Sequence, residues 1–248
     1  MSLSKTRSSL PARLLSMLLL VAPAISQAAW TAGADFVANE KPDGLHENNP
    51  NSAVPQWSYG YRSTITGTAL TLYTPAEHSN DTSGSGGHPD LEGFNSGFSI
   101  AWVNTASTSV TSVGGALVGP HQIILHPEDG LANVIRWTSP GAGLYSINAL
   151  WDDLDHGGGD GAVADVVING VSFFSQVFGY STQASINQNF TLGLGDTVDF
   201  VLSQNGDIQF DSTGFDATIS LVPEPSRALM LAAGIGWLLV RRRRPSRD

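Results

Sequence analysis

Cysteine is absent from all 248 residues. That absence excludes disulfides, thiolate zinc sites, thiol nucleophiles and iron–sulfur ligation together. A body of roughly 190 residues tolerates it, because a domain of that size buries a large core without covalent staples. Basic residues are almost as scarce once the termini are set aside. Between Ala29 and Leu221 only Lys41, Arg62 and Arg136 are basic, against 20 acidic residues, a net charge of −17. Phosphate backbones and anionic head groups are bound by clustered Lys and Arg, so nucleic acid is excluded as a partner of such a surface. Divalent cations, neutral glycans and basic proteins remain compatible with it. The sequence also lacks an H-E-x-x-H pair, a G-x-S-x-G elbow and any Gly-rich phosphate loop, which removes the recognisable routes to zinc peptidases, serine hydrolases and nucleotide enzymes.

What is present begins at the ends. Lys5, Arg7 and Arg13 precede the apolar stretch Leu14 to Val21, and Ser26-Gln27-Ala28 puts small residues at the −3 and −1 positions of a cut after Ala28. This is the pattern of a secretory signal peptide over residues 1–28, and it implies the export machinery and signal peptidase as partners. At the other end Val222-Pro223-Glu224-Pro225 is followed by the apolar stretch Ala228 to Val240 and then by Arg241, Arg242, Arg243 and Arg244. About 20 apolar residues are needed to span a hydrocarbon core of about 30 Å. This 13-residue stretch is short and would span only with snorkelling arginines and a thinned bilayer. The arginines should stay cytoplasmic, which places the preceding domain outside.

Those C-terminal residues resemble the PEP-CTERM sorting signal, in which V-P-E-P precedes an apolar helix and a basic cluster. Pro223, Glu224 and Pro225 match the tripeptide and Arg241 to Arg244 the basic end; Pro245 to Asp248 form a small extension. The resemblance implies transient inner-membrane anchoring, processing near the tripeptide by an exosortase-type membrane peptidase, and delivery to the cell surface or exopolysaccharide matrix. The expected organisation is therefore a signal peptide (1–28), an acidic β-sandwich domain (29–221) and a sorting tail (222–248). The tail divides into motif 222–225, apolar helix 226–240 and basic end 241–248.

Between the signals, apolar residues alternate with period two and are punctuated by Gly, Asn, Asp and Ser, with no sustained helical period. Tyr145, Ile147, Ala149 and Trp151 alternate with Leu144, Ser146, Asn148 and Leu150, a strand with one core face. Asn169-Gly170 and Asn205-Gly206 read as tight hairpin turns, because the pair supplies the positive φ angles of a type I′ turn. Further strands are expected at Trp57 to Arg62, Ala69 to Tyr73, Gly97 to Val103, Gln122 to Leu125, Asn133 to Thr138, Ser185 to Leu192 and Gly214 to Leu221, with a Ser/Gly/Asp-rich loop at Asn80 to Glu92. The fold class is all-β, an antiparallel β-sandwich of jelly-roll type, flanked by an N-terminal signal helix and a short C-terminal transmembrane helix. Trp57-Ser58-Tyr59-Gly60, Arg136-Trp137-Thr138-Ser139-Pro140, Val167-Ile168-Asn169-Gly170 and Gly195-Asp196-Thr197-Val198-Asp199-Phe200 resemble an extracellular β-sandwich module that accompanies this sorting tail. Their cadence is similar to jelly-roll carbohydrate-binding modules.

Two groups of residues are candidates for binding. Asp152, Asp153, Asp155, Asp160 and Asp165 crowd a Gly-rich stretch; closely spaced carboxylates suit Ca²⁺, and Asp153, Asp155 and Asp160 are the ligands expected. Their spacing departs from an EF-hand, so a solvated loop is the competing reading, and calcium is the one cofactor left open. Trp57 and Tyr59 share a strand face and are candidate stacking platforms for sugar rings, with core filling as the competing reading. No residue is assigned a catalytic role. The chain reads as an exported, non-enzymatic surface or exopolysaccharide-matrix protein; the alternatives are a carbohydrate- or calcium-binding recognition module and, further behind, a polysaccharide-active enzyme.

Overall fold

A computed structural model describes residues 29–39, 49–51, 53–81, 87–223 and 234. The signal peptide with Ala28, the tail from Glu224 onward with Pro225 and Arg241 to Arg244, and the middle of the loop after Asn80 lie outside these residues. Among the described residues no helix is long and apolar enough to cross a membrane.

The chain opens with β1 (Ala29–Thr31) and α1 (Ala32–Asn39), then β2 (Trp57–Arg62), β3 (Thr71–Leu72), β4 (His78–Asn80), β5 (Leu91–Ser96) and β6 (Ser99–Asn104). A small hairpin follows, β7 (Val110–Thr111) and β8 (Leu117–Val118), then β9 (Ile123–His126), β10 (Ala132–Thr138) and the long β11 (Gly143–Asp153). The last five strands are β12 (Ala162–Ile168), β13 (Val171–Phe178), β14 (Gln183–Leu192), β15 (Thr197–Gln204) and β16 (Thr213–Leu221). They form two main sheets, ordered β14-β11-β16-β9-β6-β5-β4, with β1 also paired to β16, and β13-β12-β15-β10-β2-β3; the strand pairings are antiparallel. This is the β-sandwich expected, with two layers burying their facing sides.

The period-two reading of β11 holds residue by residue. Tyr145, Ile147, Ala149 and Trp151 are buried while Leu144, Ser146, Asn148 and Leu150 face outward. Between the sheets, Trp151 packs on Phe200 and Phe215, and Trp137 on Tyr145 and Trp30. The Asn169-Gly170 turn is left-handed at both residues, φ 50° and 84°, as a type I′ turn requires.

Four expectations need correction. Asn205-Gly206 does not close a hairpin: β15 ends at Gln204, and residues 205–212 cross to the opposite sheet, where β16 starts. The segment Asp207 to Phe210 alternates polar and apolar residues but joins no ladder. The strand expected at Ala69 to Tyr73 shrinks to Thr71–Leu72. The expected loop at Asn80 to Glu92 is bounded by paired strands, with His78 opposite Phe94 and Asn80 opposite Glu92. Finally, α1 is a short helix in a chain read as wholly β. Eight residues cannot sustain a helix alone. Tertiary contacts do: Ala32 and Phe36, four apart on one face, are fully buried, and Phe36 stacks on Tyr59 with centroids 4.1 Å apart. Gly33 has no room for a side chain because the His121 carbonyl presses against it.

Candidate functional site

Trp57 and Tyr59 are not platforms for a ligand. Both are fully buried. The Trp57 indole N–H donates to Asp35 Oδ2 at 2.8 Å, and Tyr59 lies beneath Phe36. The shared strand face inferred for them is real, but it is the core face.

One exposed aromatic ring, Phe98, borders the outer side of the larger sheet; Phe173, Tyr180 and Phe210 are exposed elsewhere. Outward residues of β5, β6 and β9 there meet the β7–β8 hairpin, giving a second small core of Leu91, Trp102, Val110, Ala116, Val118, Ile124 and Leu154. Asn104 secures this flap: its amide donates to the Thr108, Val118 and Gly119 carbonyls, and its Oδ1 accepts from the Ala106 N–H. Asp81 accepts from the Val113 N–H at the hairpin tip at 2.7 Å. Between flap and sheet runs a groove of about 340 Å³. Phe98, 62% exposed, stands at its rim on the β5–β6 turn, where Gly97 adopts φ 70°. Trp102 forms part of the floor, its indole N–H donating to Ser79 Oγ at 3.0 Å. Asn95, His126 and Ser212 add polar atoms to the lining. His126 Nδ1 is paired with the Pro127 carbonyl at 2.8 Å, which leaves Nε2 uncommitted. This is the composition of a small-ligand site, apolar and aromatic walls with a few spaced polar groups. A shallower depression of about 300 Å³ over Asn148, Asn187, Asp216 and Thr218 has no aromatic lining.

Ser212 connects the groove to the acidic end of the sandwich, formed by the β11–β12, β13–β14 and β15–β16 loops. Left-handed backbone concentrates there: of the six non-glycine residues with positive φ among the described residues, His156, Tyr180, Ser181 and Phe210 belong to these loops. Such conformations persist only where surrounding contacts enforce them. Asp153 supplies part of the enforcement, accepting from the Asp155 and Ser181 N–H groups, and Asp155 accepts from the Ser212 N–H at 2.7 Å. Asp160 lies over the β15–β16 loop, where its carbonyl accepts from Asn205. The three aspartates expected as calcium ligands therefore share one end of the fold but do not converge. All three accept backbone amides, and among the described residues no three His, Asp or Glu side chains are gathered closely enough to hold a metal ion. Asp165 lies apart, buried on β12 with Ser172 as its donor.

The spacing of aspartates in the sequence did not single out Asp211. It is 2% exposed, and neither carboxylate oxygen has a hydrogen-bond partner. Burial, with Asp160, Asp207, Asp155 and Asp153 nearby, pushes its carboxyl up to about 7. The arginines of the described residues are remote. Arg62 and Arg136 both bind Asp199 on the outer face of the smaller sheet.

No family model matches the sequence, and no curated protein matches it. Among solved structures, the chain is similar to the CBM51 module from Clostridium perfringens GH95 in complex with methyl-galactose. That likeness has 17% identity and a TM-score of 0.36, over 50% of this chain and 90% of that one. It is similar also to a family 35 carbohydrate-binding module from Clostridium thermocellum, at 15% identity and a TM-score of 0.27 over 52% and 85% of the two chains. Rabbit GITRL overlaps it as well, at 15% identity and a TM-score of 0.29 over 37% and 74%. Overlaps this partial assign no ligand to this chain.

Proposed function

We propose that the β-sandwich is a non-catalytic extracellular recognition module that binds carbohydrate in the groove beside Phe98. The carrying observation is the exposed Phe98 ring at the rim of a 340 Å³ groove that also presents Asn95, His126 and Ser212. A pyranose offers one flat apolar face and a rim of hydroxyls. Phe98 matches the first; the amide, imidazole and hydroxyl match the second. The body's net charge of −17 favours neutral sugars over uronic acids or sulfated chains.

Affinity electrophoresis of the full chain through gels containing neutral polysaccharides, including the producing cell's own exopolysaccharide, tests this reading. Retardation is expected. Phe98→Ala should weaken it by about tenfold or more, the loss typical of an exposed aromatic anchor, with a melting temperature near that of the native chain because the ring is largely in solvent. Retardation that survives in Phe98→Ala would move the site elsewhere, and none in any gel would sink the carbohydrate reading.

The module is carried, in this proposal, on an exported protein sorted by its tail, with the cell surface or exopolysaccharide matrix as destination. One observation favours this second element. Ala29 pairs with Ser220 in the β1–β16 ladder, so the expected cut after Ala28 and the Pro223-Glu224-Pro225 motif both fall just outside the last hydrogen-bonded residues of the domain. Either could be processed without breaking a strand. Replacing Pro223-Glu224-Pro225 with three alanines should leave the protein in the inner membrane with its arginines intact, whereas the native chain should reach the surface without them. Intact mass after cell fractionation reads the difference. Retention of Arg241 to Arg244 on both proteins in the inner membrane would make the tail an ordinary anchor.

A further inference from the structure

Asp211 has no protein solution for its charge. The other aspartates nearby are provided for: Asp153 and Asp155 accept backbone amides, and Asp160 and Asp207, in exposed loop positions, each accept one through Oδ1 alone. Asp211 is buried with both oxygens unpartnered, an arrangement that is strongly unfavourable for an ionised carboxylate. The charges that act on it most strongly have the same sign, from Asp160 in the β11–β12 loop, Asp207 in its own loop, Asp155 in the same loop as Asp160 and Asp153 at the end of β11. Arg62 and Arg136 are committed to Asp199, and His156, the histidine of the β11–β12 loop, pairs with Ser181 Oγ.

We infer that Asp211 is the anchoring ligand of a divalent-cation site of calcium type, with Asp160 and Asp207 as flanking carboxylates and loop carbonyls and water completing an oxygen shell. The donors dictate the class of ion. With no cysteine in the chain and with His156 turned to Ser181, the available ligands are hard oxygens, which Ca²⁺ takes in sets of about 6–8 at flexible geometry. The side chains alone fall short of a cage. The glycine-rich β11–β12 loop, with Gly158 and Gly159 at positive φ beside Phe210, holds Asp160 against the β15–β16 loop, where the Asp207 N–H donates to Asp160 Oδ1 at 3.5 Å. This differs from a site built on Asp153, Asp155 and Asp160, because it leaves the first two as scaffolding. It is independent of what the groove binds.

The test is thermal unfolding of the full chain in mild detergent at pH 8, stripped with EDTA and then supplied with CaCl₂ or MgCl₂. At about 10 mM, roughly tenfold above the weaker dissociation constants of extracellular calcium modules, Ca²⁺ should raise the melting temperature by about 3–6 °C. Mg²⁺ should do so less. Asp211→Asn should abolish the shift yet melt no lower than the stripped native chain, since it removes a buried charge while keeping the shape. Asp160→Asn and Asp207→Asn should each weaken the calcium response, which keeps the inference testable if Asp211→Asn does not fold. Asp90→Asn, outside the cluster, should keep the full shift. No calcium shift in the native chain would mean that Asp211 is simply a protonated acid. A shift that survives in Asp211→Asn would put the ion elsewhere; either result overturns the inference.

Discussion

Asp199→Ala should cost about 3–5 kcal/mol of folding stability, the range for removing one partner of a buried ion pair. The Asp199 side chain has no exposed surface and Arg62 retains 4% of its own. Arg62 Nη1 reaches Asp199 Oδ2 at 2.7 Å, while Arg136 approaches from the other side through Nε to Oδ1 at 2.6 Å and Nη2 to Oδ2 at 2.9 Å. The carboxylate thus holds two guanidinium groups together. Without it the two guanidinium groups face each other across a desolvated site, with buried Asp165, on which the Arg62 charge also acts, as the remaining carboxylate nearby. The damage should spread to residues 63–70, because Arg62 also donates to the Ile65 and Gly67 carbonyls and Arg136 to that of Thr68. Urea unfolding followed by limited proteolysis checks both parts: a large fall in midpoint, and new cleavage between β2 and β3. A loss under about 1 kcal/mol, the value of an exposed pair, would show that water reaches the triad.

Replacing Trp57 with alanine should remove about 3–5 kcal/mol, as truncation of a buried aromatic does. Its ring has no exposed surface, packs toward Phe200 at 6.3 Å, and donates its only polar hydrogen to Asp35. The variant therefore leaves a cavity and an Asp35 carboxylate whose remaining donor is the Thr31 N–H, in a residue whose pKa burial already raises. Chemical denaturation measures the loss. At temperatures where the variant remains folded, its retardation in polysaccharide gels should equal that of the native chain. A stable Trp57→Ala protein that no longer binds sugar would return this residue to the ligand surface.

The contrast between Trp57 and Phe98 marks where sequence reasoning reached its limit. Alternation places Trp57, Tyr59 and Tyr61 together on one face, but it does not tell a face toward the second sheet from a face toward solvent. That depends on strands far along the chain, such as β15, which brings Phe200 against Trp57. Phe98 falls within the strand expected from Gly97 to Val103, but it sits in the two-residue turn before β6, so its exposure was not legible. Long strands with strict alternation, β11 above all, and the Asn169-Gly170 hairpin were legible because their determinants are local. The second Asn-Gly pair misled for the opposite reason: sheet crossing by β16 overrides local turn preference. Asp211 was equally hidden, since one aspartate among 20 acidic residues is distinguished only by the absence of donors around it.

The register of β16 also determines how the molecule would stand on a surface. The strand runs from Thr213, two residues after Asp211, to Leu221, one residue before Val222, a rise of roughly 27 Å at ordinary strand spacing. Its far half pairs with β1 and its near half with β9, which carries His126. Both chain ends therefore leave from one pole, and the acidic loops and Ser212 crown the other. A domain tethered by its tail would hold that crown outward, away from the membrane or matrix that grips it. Releasing the tether would change the protein's address without turning its binding face.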